Sequence, residues 1–381
     1  MAYNRIKYIN ITLNIYILYF RATGNCKNIV PSPKFLLLMG TTSLATASLT
    51  KAIADSIKKA QKEELFFEEI YSNPDPKTYK NEFLFFLKPE LTVQSDTIQL
   101  DAVLNLAQEK IKQFGLKIHN IKVLSAKYLE QYDIIAQHYG VINKISSNAV
   151  KNISESAREK FKASFGKTVE EVKTLGGSEF MQQYPHFNAY VLDYLWQNKP
   201  NTKLAGGTYC EEIKIDDETI YVINGFHPRQ LKHFTEKGRS IVIMTLSGDL
   251  SWQDARSNFI GATNPAQANA GSLRREFLDK KAALGLAEVS QGVNGVHLSA
   301  GPVEGLIELK RYNSDFSKAS AIKDFTEYSF GKKLKETFSP EQFEKIVSNA
   351  NVQVNGKSIS IFDLTEEKDS EEAIELLKAN L

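Results

Sequence analysis

Cysteine is nearly missing from this 381-residue chain: Cys26 and Cys210 stand far apart, and there is no Cys-x-x-Cys pair. That excludes a disulfide framework, and with only six scattered histidines it makes a structural zinc a poor reading. An excess of one charge is missing too. Forty-seven basic against 45 acidic residues leave a formal charge of +2. That argues against a broad nucleic-acid-binding surface, although clustered cations could still meet phosphate. Long apolar runs are lacking. Tyr8 to Phe20 is interrupted by Asn10, Thr12 and Asn14 and is too short to span a bilayer, so no stable membrane insertion is expected. There is no internal repeat. The balance reads as a soluble globular protein of a reducing compartment, long enough for two or three domains.

Acid is absent from one region: none occurs before Asp55, where Arg5, Lys7, Arg21, Lys27, Lys34 and Lys51 are all basic. Asn25 before Cys26 spoils a lipobox, whereas the Ser/Thr-rich stretch from Thr41 to Thr50 suits an organellar transit peptide. The competing reading starts the protein at Met39. The expected compartment is cytoplasmic, with an organelle as the alternative if residues 1–54 act as a transit peptide.

Periodicity orders the rest. Leu49 to Tyr71 reads as a helix, and Glu82 to Leu87 as a buried strand that delivers Lys88-Pro89 at its exit. Thr97 to Phe114 carries apolar residues on one helical face and stops at Gly115. Ile118 to Leu124 is a second strand, and Tyr128 to Tyr139 is again helical. Ala149 to Pro200 is mostly helical in composition, most clearly at Lys167 to Leu175 and Tyr190 to Trp196. A hairpin signal follows, Glu212 to Ile223 around Asp216-Asp217. Pro228 to Glu236 is a short helix, Ser240 to Leu246 a buried strand, and Trp252 to Phe259 a helix carrying Arg256. The irregular stretch from Gly261 to Arg274 is long enough to suggest function. Beyond Asn313 come a charge-rich helical region to Val347, an Asn355-Gly356 turn between strands, and a last helix from Glu366 to Leu381.

One stretch organises the chemistry. Gly292 to Ser299 leads to His297, and a proline then opens the helix Pro302 to Tyr312, which carries Glu308 eleven residues after that histidine. Taken alone, His297 is better read as a packed core residue. Its companions change that. Arg256, Arg274 and Lys88 can neutralise a polyphosphate, and Thr263 and Asn294 are neutral donors. That leaves His297 as the good nucleophile near neutral pH, with Glu308 placed to orient it.

These residues stand in Phe86-Leu87-Lys88-Pro89, His138-Tyr139, Gly261-Ala262-Thr263-Asn264-Pro265-Ala266, Gly271-Ser272-Leu273-Arg274 and Asn294-Gly295-Val296-His297-Leu298-Ser299 with Glu308. In these motifs the chain resembles the nucleoside diphosphate kinase family, over Lys80 to Val141 and Phe226 to Asn313. The resemblance implies an α+β fold, a ferredoxin-like antiparallel four-stranded sheet with helices on one face. It implies His297 as the residue that becomes phosphohistidine, with Ser299 and Glu308 supporting it. Lys88, Tyr139, Arg256, Thr263, Arg274 and Asn294 would bind the nucleotide and its phosphates. Magnesium would arrive on the nucleotide, with no dedicated protein metal site. Nucleoside di- and triphosphates would be the partners, nucleic acid would not, and the chain would form a homo-oligomer.

The expected organisation is an N-terminal extension (1–79, of which 1–38 is disordered, targeting or spurious), a kinase-like domain (80–314) interrupted by a mostly helical insertion (142–225), and a C-terminal extension (315–381). The insertion falls where the family clamps the nucleobase. It leaves Phe226 or His227 as the residue for base stacking. Arg256 and Thr263 stand one residue further apart than the family pattern, and Ala300-Gly301 replaces an Asp-Ser pair. Two other readings are a phosphohistidine relay acting on a protein and an inactive nucleotide-binding or interaction protein. Retention of His297, Lys88, Thr263, Arg274, Asn294 and Glu308 together weighs against the last.

Overall fold

A run of apolar residues at Asn81–Leu87 is buried on both sides, and the architecture follows from that strand. The computed structural model describes residues 33–73, 77–198 and 200–381, with side chains from residue 47 onward. The stretches before residue 33, with Cys26 and the apolar Tyr8 to Phe20, lie outside the described residues. The chain divides into two units, Met1–Leu49 and Thr50–Leu381. What is described of the first is the start of helix α1 (Pro33–Lys62). Among the described residues no helix is long and apolar enough to cross a membrane.

In the second unit, β1 (Phe67–Ser72) and β2 (Asn81–Leu87) precede α2 (Leu100–Gln113), β3 (Lys117–Ser125), α3 (Ala126–Gln131) and α4 (Ile134–His138). An insertion follows: α5 (Gly140–Ser147), α6 (Glu155–Phe165), β4 (Thr174–Gly176), α7 (Gly177–Gln183), α8 (Ala189–Gln197), β5 (Thr202–Ala205), β6 (Thr208–Ile215) and β7 (Glu218–Ile223). Then come α9 (His227–Thr235), β8 (Ser240–Gly248), a π-helical turn at Ala255–Ile260, α10 (Leu273–Asp279), β9 (Val296–Leu298) and α11 (Pro302–Asn313). The chain ends with α12 (Ser329–Thr337), α13 (Pro340–Val347), the hairpin β10 (Asn351–Val354) and β11 (Lys357–Ser360), and α14 (Ser370–Asn380).

The main sheet is antiparallel, with order β1-β3-β8-β2-β9. It has five strands where four were expected, and its helices cover both faces, not one. Side chains alternate across a strand. On one face Phe83 meets Trp252 at 4.4 Å and Phe85 meets Phe259 at 5.9 Å, with Phe114 beyond α2 also on Phe259. On the other, Leu84 and Phe86 join Leu124, Ile241 and Ile243 beneath Tyr128, Ile134, Leu306 and Tyr312. A continuous apolar run such as Phe83 to Leu87 is what two covered faces require.

The fifth strand corrects the sequence reading of 49–71 as one helix. The helix stops at Lys62, and Phe67–Ser72 pairs with β3 instead. Glu69 lies across from the nearly buried Lys122, 3.3 Å from its ammonium, so an edge partner wins over helical composition. The long helical region from Phe316 to Val347 resolves into α12 and α13, after short 3₁₀ turns. Leu334, Ile346, Ala373 and Leu377 of the C-terminal extension are buried in the same core as Leu84 and Tyr312. The insertion is mixed α/β rather than mostly helical: β4, β7, β6 and β5 form a second sheet. Lys167 to Leu175 is not helical, because Thr174–Gly176 pairs in parallel with Tyr221–Ile223. The insertion has its own buried clusters, one around Phe161, Cys210 and Ile223 and another around Phe180, Leu192 and Val222.

Candidate active site

The short strand β9 places His297 opposite Phe86, on which its ring stacks at 4.6 Å and 20°. Pro302 at the first turn starts α11, and the helix folds back so that Glu308 reaches the imidazole. Nε2 of His297 lies 3.0 Å from Glu308 Oε2, and Ser299 Oγ donates to that same oxygen at 2.6 Å. The other oxygen, Oε1, lies 3.0 Å from His138 Nδ1, though off the hydrogen-bonding direction. The His138 and His297 rings meet edge to face at 4.5 Å.

Burial pulls the His297 imidazole down to about 4 against the pull of Glu308. Burial would raise the Glu308 carboxyl, but the two imidazoles beside it and the hydrogen bond to His297 outweigh that and hold the group well below its usual range. At neutral pH this is a carboxylate beside a neutral imidazole. The neutral ring must donate its Nε2–H to Glu308, which leaves the lone pair on Nδ1. The side chain keeps 15 % of its surface exposed.

The cations stand around this strand. Lys88 follows β2, its backbone N–H donating to Gly295 O at 2.8 Å and its ammonium to Asn294 Oδ1 at 2.8 Å. The Asn294 amide donates to the carbonyls of Thr263 and Gln291, both at 3.1 Å. Arg274 donates to Gly261 O at 2.9 Å and to Val296 O at 3.0 Å, while its buried Nε has no partner. Arg256 donates to Leu298 O at 3.3 Å. The carbonyls on either side of His297 thus hold the two arginines. Burial lowers Lys88 to about 8, with the Arg274 charge adding to the effect against Glu90. Burial and Arg256 lower Arg274 to about 10. Buried cations that depress one another are poised for an anion.

Arg256, Gly261, Thr263, Gln267, Arg274 and Glu367 line a cleft of about 270 Å³. Gly261 is required there: its φ is +88°, and a Cβ would meet Ser272 Oγ at 2.4 Å. Arg256 lies on the π-helical turn, where Gly261 N–H bonds to Arg256 O five residues back. One extra residue per turn is what a π-turn accommodates, so it absorbs the longer Arg256–Thr263 spacing. Tyr139 caps α4 with its ring against His138, and burial raises its phenol.

Lys88, Asn294, Thr263, Arg274, Arg256, His297, Ser299 and Glu308 therefore belong to one connected site. The two base-stacking candidates do not join it. His227 is fully buried, with Nδ1 3.0 Å from Gln230 Oε1 and Nε2 3.2 Å from Asn143 Oδ1. Phe226 packs on Trp196 and Tyr209 of the insertion. Both are taken up in seating the insertion. Sequence reasoning missed four contributors. Glu90, two residues after Lys88, accepts from Gly295 N at 2.8 Å and lies 2.7 Å from His233 Nε2, tying β9 to β2. His138 stood in a quoted motif without a role. Glu366 and Glu367 reach Arg256 from the C-terminal extension, and no local signal could have announced that.

Among the described residues one cluster, His138, His297 and Glu308, has ligand atoms within 4.8 Å of one another.

No protein-family model matches the chain, and no curated protein matches it. Among solved structures it is similar to a nucleoside diphosphate kinase from Encephalitozoon cuniculi, at 13 % identity over 64 % of this chain and 95 % of that one, with a TM-score of 0.30. It is likewise similar to one from Pyrobaculum aerophilum, at 18 % identity over 64 % of this chain and 99 % of that one, also with a TM-score of 0.30.

Proposed function

We propose that this chain is a nucleoside diphosphate kinase, moving the γ-phosphoryl group of a nucleoside triphosphate to a diphosphate through phosphorylated His297. The observation that carries the reading is the Glu308–His297 pair, with Nε2 engaged at 3.0 Å and Nδ1 left as the nucleophile. The buried cations Lys88 and Arg274, both depressed, with Arg256 beside them, support it. Strands β3, β8, β2 and β9, adjacent in that order, support a ferredoxin-like core to which β1 adds an edge.

The lone pair of Nδ1 attacks the γ-phosphorus, the bond to the β–γ bridging oxygen breaks, and the diphosphate leaves. No proton need be removed from the nucleophile, because His297 is neutral at working pH. Its ring gains positive charge as the N–P bond forms, and Glu308 stabilises that charge across Nε2–H. Ser299 holds the carboxylate in place. Lys88 and the two arginines neutralise charge on the phosphates, so that catalysis is positioning and electrostatics. The second half-reaction reverses the steps with another diphosphate. The cleft residues suit a Mg²⁺ carried by the nucleotide: they are mainly cations and neutral donors, and a hard cation takes its oxygens from phosphate and water. A homo-oligomer is part of the same reading.

Incubation with Mg·ATP should give an acid-labile, alkali-stable phosphoenzyme that GDP or UDP discharges. A His297→Ala variant should lose the label yet still bind nucleotide. No label from any triphosphate would sink the proposal, and discharge only by a protein would favour a relay.

A further inference from the structure

The phosphate cleft has an acidic wall that comes from the far end of the chain. Glu367 lines it beside Thr263 and Arg274. Glu367 Oε1 lies 3.7 Å from Arg256 Nε, and Glu366 Oε1 lies 3.7 Å from its NH2. These are loose pairs on carboxylates that stay 44 % (Glu367) and 49 % (Glu366) exposed, unlike the contacts of 2.9 and 3.0 Å that hold Arg274. The backbone beneath them is fixed. Glu367 N–H donates to Ala300 O at 2.9 Å, two residues from the end of β9. Thr365 and Ile361 are fully buried. Position 301 has to be glycine for this approach, since a Cβ there would lie 2.5 Å from Thr365 O. Glu367 itself has φ +57°, a left-handed conformation disfavoured for a residue with a long side chain. Such a residue persists where its surroundings impose it, and such sites cluster at ligand clamps.

We propose that Glu366 and Glu367 form a charge filter on Arg256. Nucleotide phosphates must displace them, and they favour a nucleotide whose charge is partly neutralised by a divalent cation over the free polyphosphate. The inference rests on the phosphotransferase reading above, which requires polyphosphate in this cleft. Two half-exposed carboxylates beside one guanidinium cancel its attraction until an anion takes their place. The repulsion they add grows with the charge of the incoming phosphates. A metal-complexed triphosphate therefore suffers less than the free one, and free ATP suffers more than free ADP.

The test is calorimetric titration of the full-length protein and of Glu367→Gln and Glu366→Gln/Glu367→Gln variants with ATP and ADP, in chelator and in excess Mg²⁺. Removing each carboxylate should tighten free ATP about two- to fivefold, the size expected of half-exposed ion pairs. The gain should be smaller for the magnesium complex and should fade with added salt. Unchanged affinity for free ATP overturns the filter. Weaker binding of both forms also overturns it, and would make the acids supports for Arg256. Thermal melts of the variants verify folding. Normal labelling of His297 with unaltered ATP preference would remove the filter alone, whereas no nucleotide binding by the unmodified protein would remove both readings.

Discussion

His297 and Glu308 have to be considered together, because each sets the protonation of the other. With the imidazole drawn to about 4, it stays neutral and nucleophilic well below the ordinary value of 6.5. The acid limb of kcat/KM for phosphoenzyme formation should therefore fall nearer pH 4 to 5 than 6.5, as measured by a pH–rate profile. The groups facing the ring, Glu308, His138 and Lys88, all contribute to that limb. Stability moves the same way. Between the two values the unfolded chain binds the extra proton, so this group's contribution is present above 6.5 and is lost as pH falls toward 4. At the other end burial pulls the Lys88 ammonium down to about 8. Nucleotide KM should rise above that pH as the ammonium loses its charge, less steeply once phosphate is bound. A Glu308→Gln change keeps a hydrogen-bond partner for Nε2 but removes the charge. It should lower the rate of label formation by about 100-fold with little change in nucleotide affinity, read by rapid-quench labelling.

At the scale of elements, the π-helical turn at Ala255–Ile260 is the informative one. Phe259 is anchored on Phe85 and Phe114. Removing one residue, Asn258, would therefore throw the change of register onto Arg256. The Arg256–Leu298 contact should be lost and nucleotide KM raised about tenfold, the size of a charge-assisted hydrogen bond. The final helix, α14, holds the acidic wall in place through its core residues. Leu377 is fully buried against the cluster that contains Tyr312, so Leu377→Ala should cost about 2 to 5 kcal/mol in denaturant unfolding.

At the scale of the whole molecule, the insertion and the five-stranded sheet have separate cores. The insertion's ends come together, since Asn143 Oδ1 lies 3.2 Å from His227 Nε2. Replacing residues 144–224 by a short Gly/Ser linker should leave a folded protein that still labels on His297, checked by circular dichroism and phosphoenzyme assay. Nucleobase selectivity should change, because Tyr139 and α9 border both the insertion and the site. Light scattering on the intact and excised proteins would show whether the insertion blocks or builds a subunit contact.

Much of the site was legible in the chain itself. Lys88 at a strand exit, Thr263 and Arg274 in a glycine-bearing loop, and His297 eleven residues before Glu308 are local patterns, and their chemistry follows from residue type and spacing. The buried strands were legible because two covered faces leave an apolar run. What was not legible depends on contacts between distant segments. β1 formed because the edge of β3 and the buried Lys122 needed a partner, against a helical composition. His227 is drawn into the seat of the insertion because Asn143 and Gln230 enclose it. Arg256 acquired Glu366 and Glu367 because α14 packs back onto α11. Residue identity determined which cationic, amide and imidazole groups the site could draw on. Tertiary packing alone decided which carboxylates would stand beside them, since burial and like-charge distance have no counterpart in linear order.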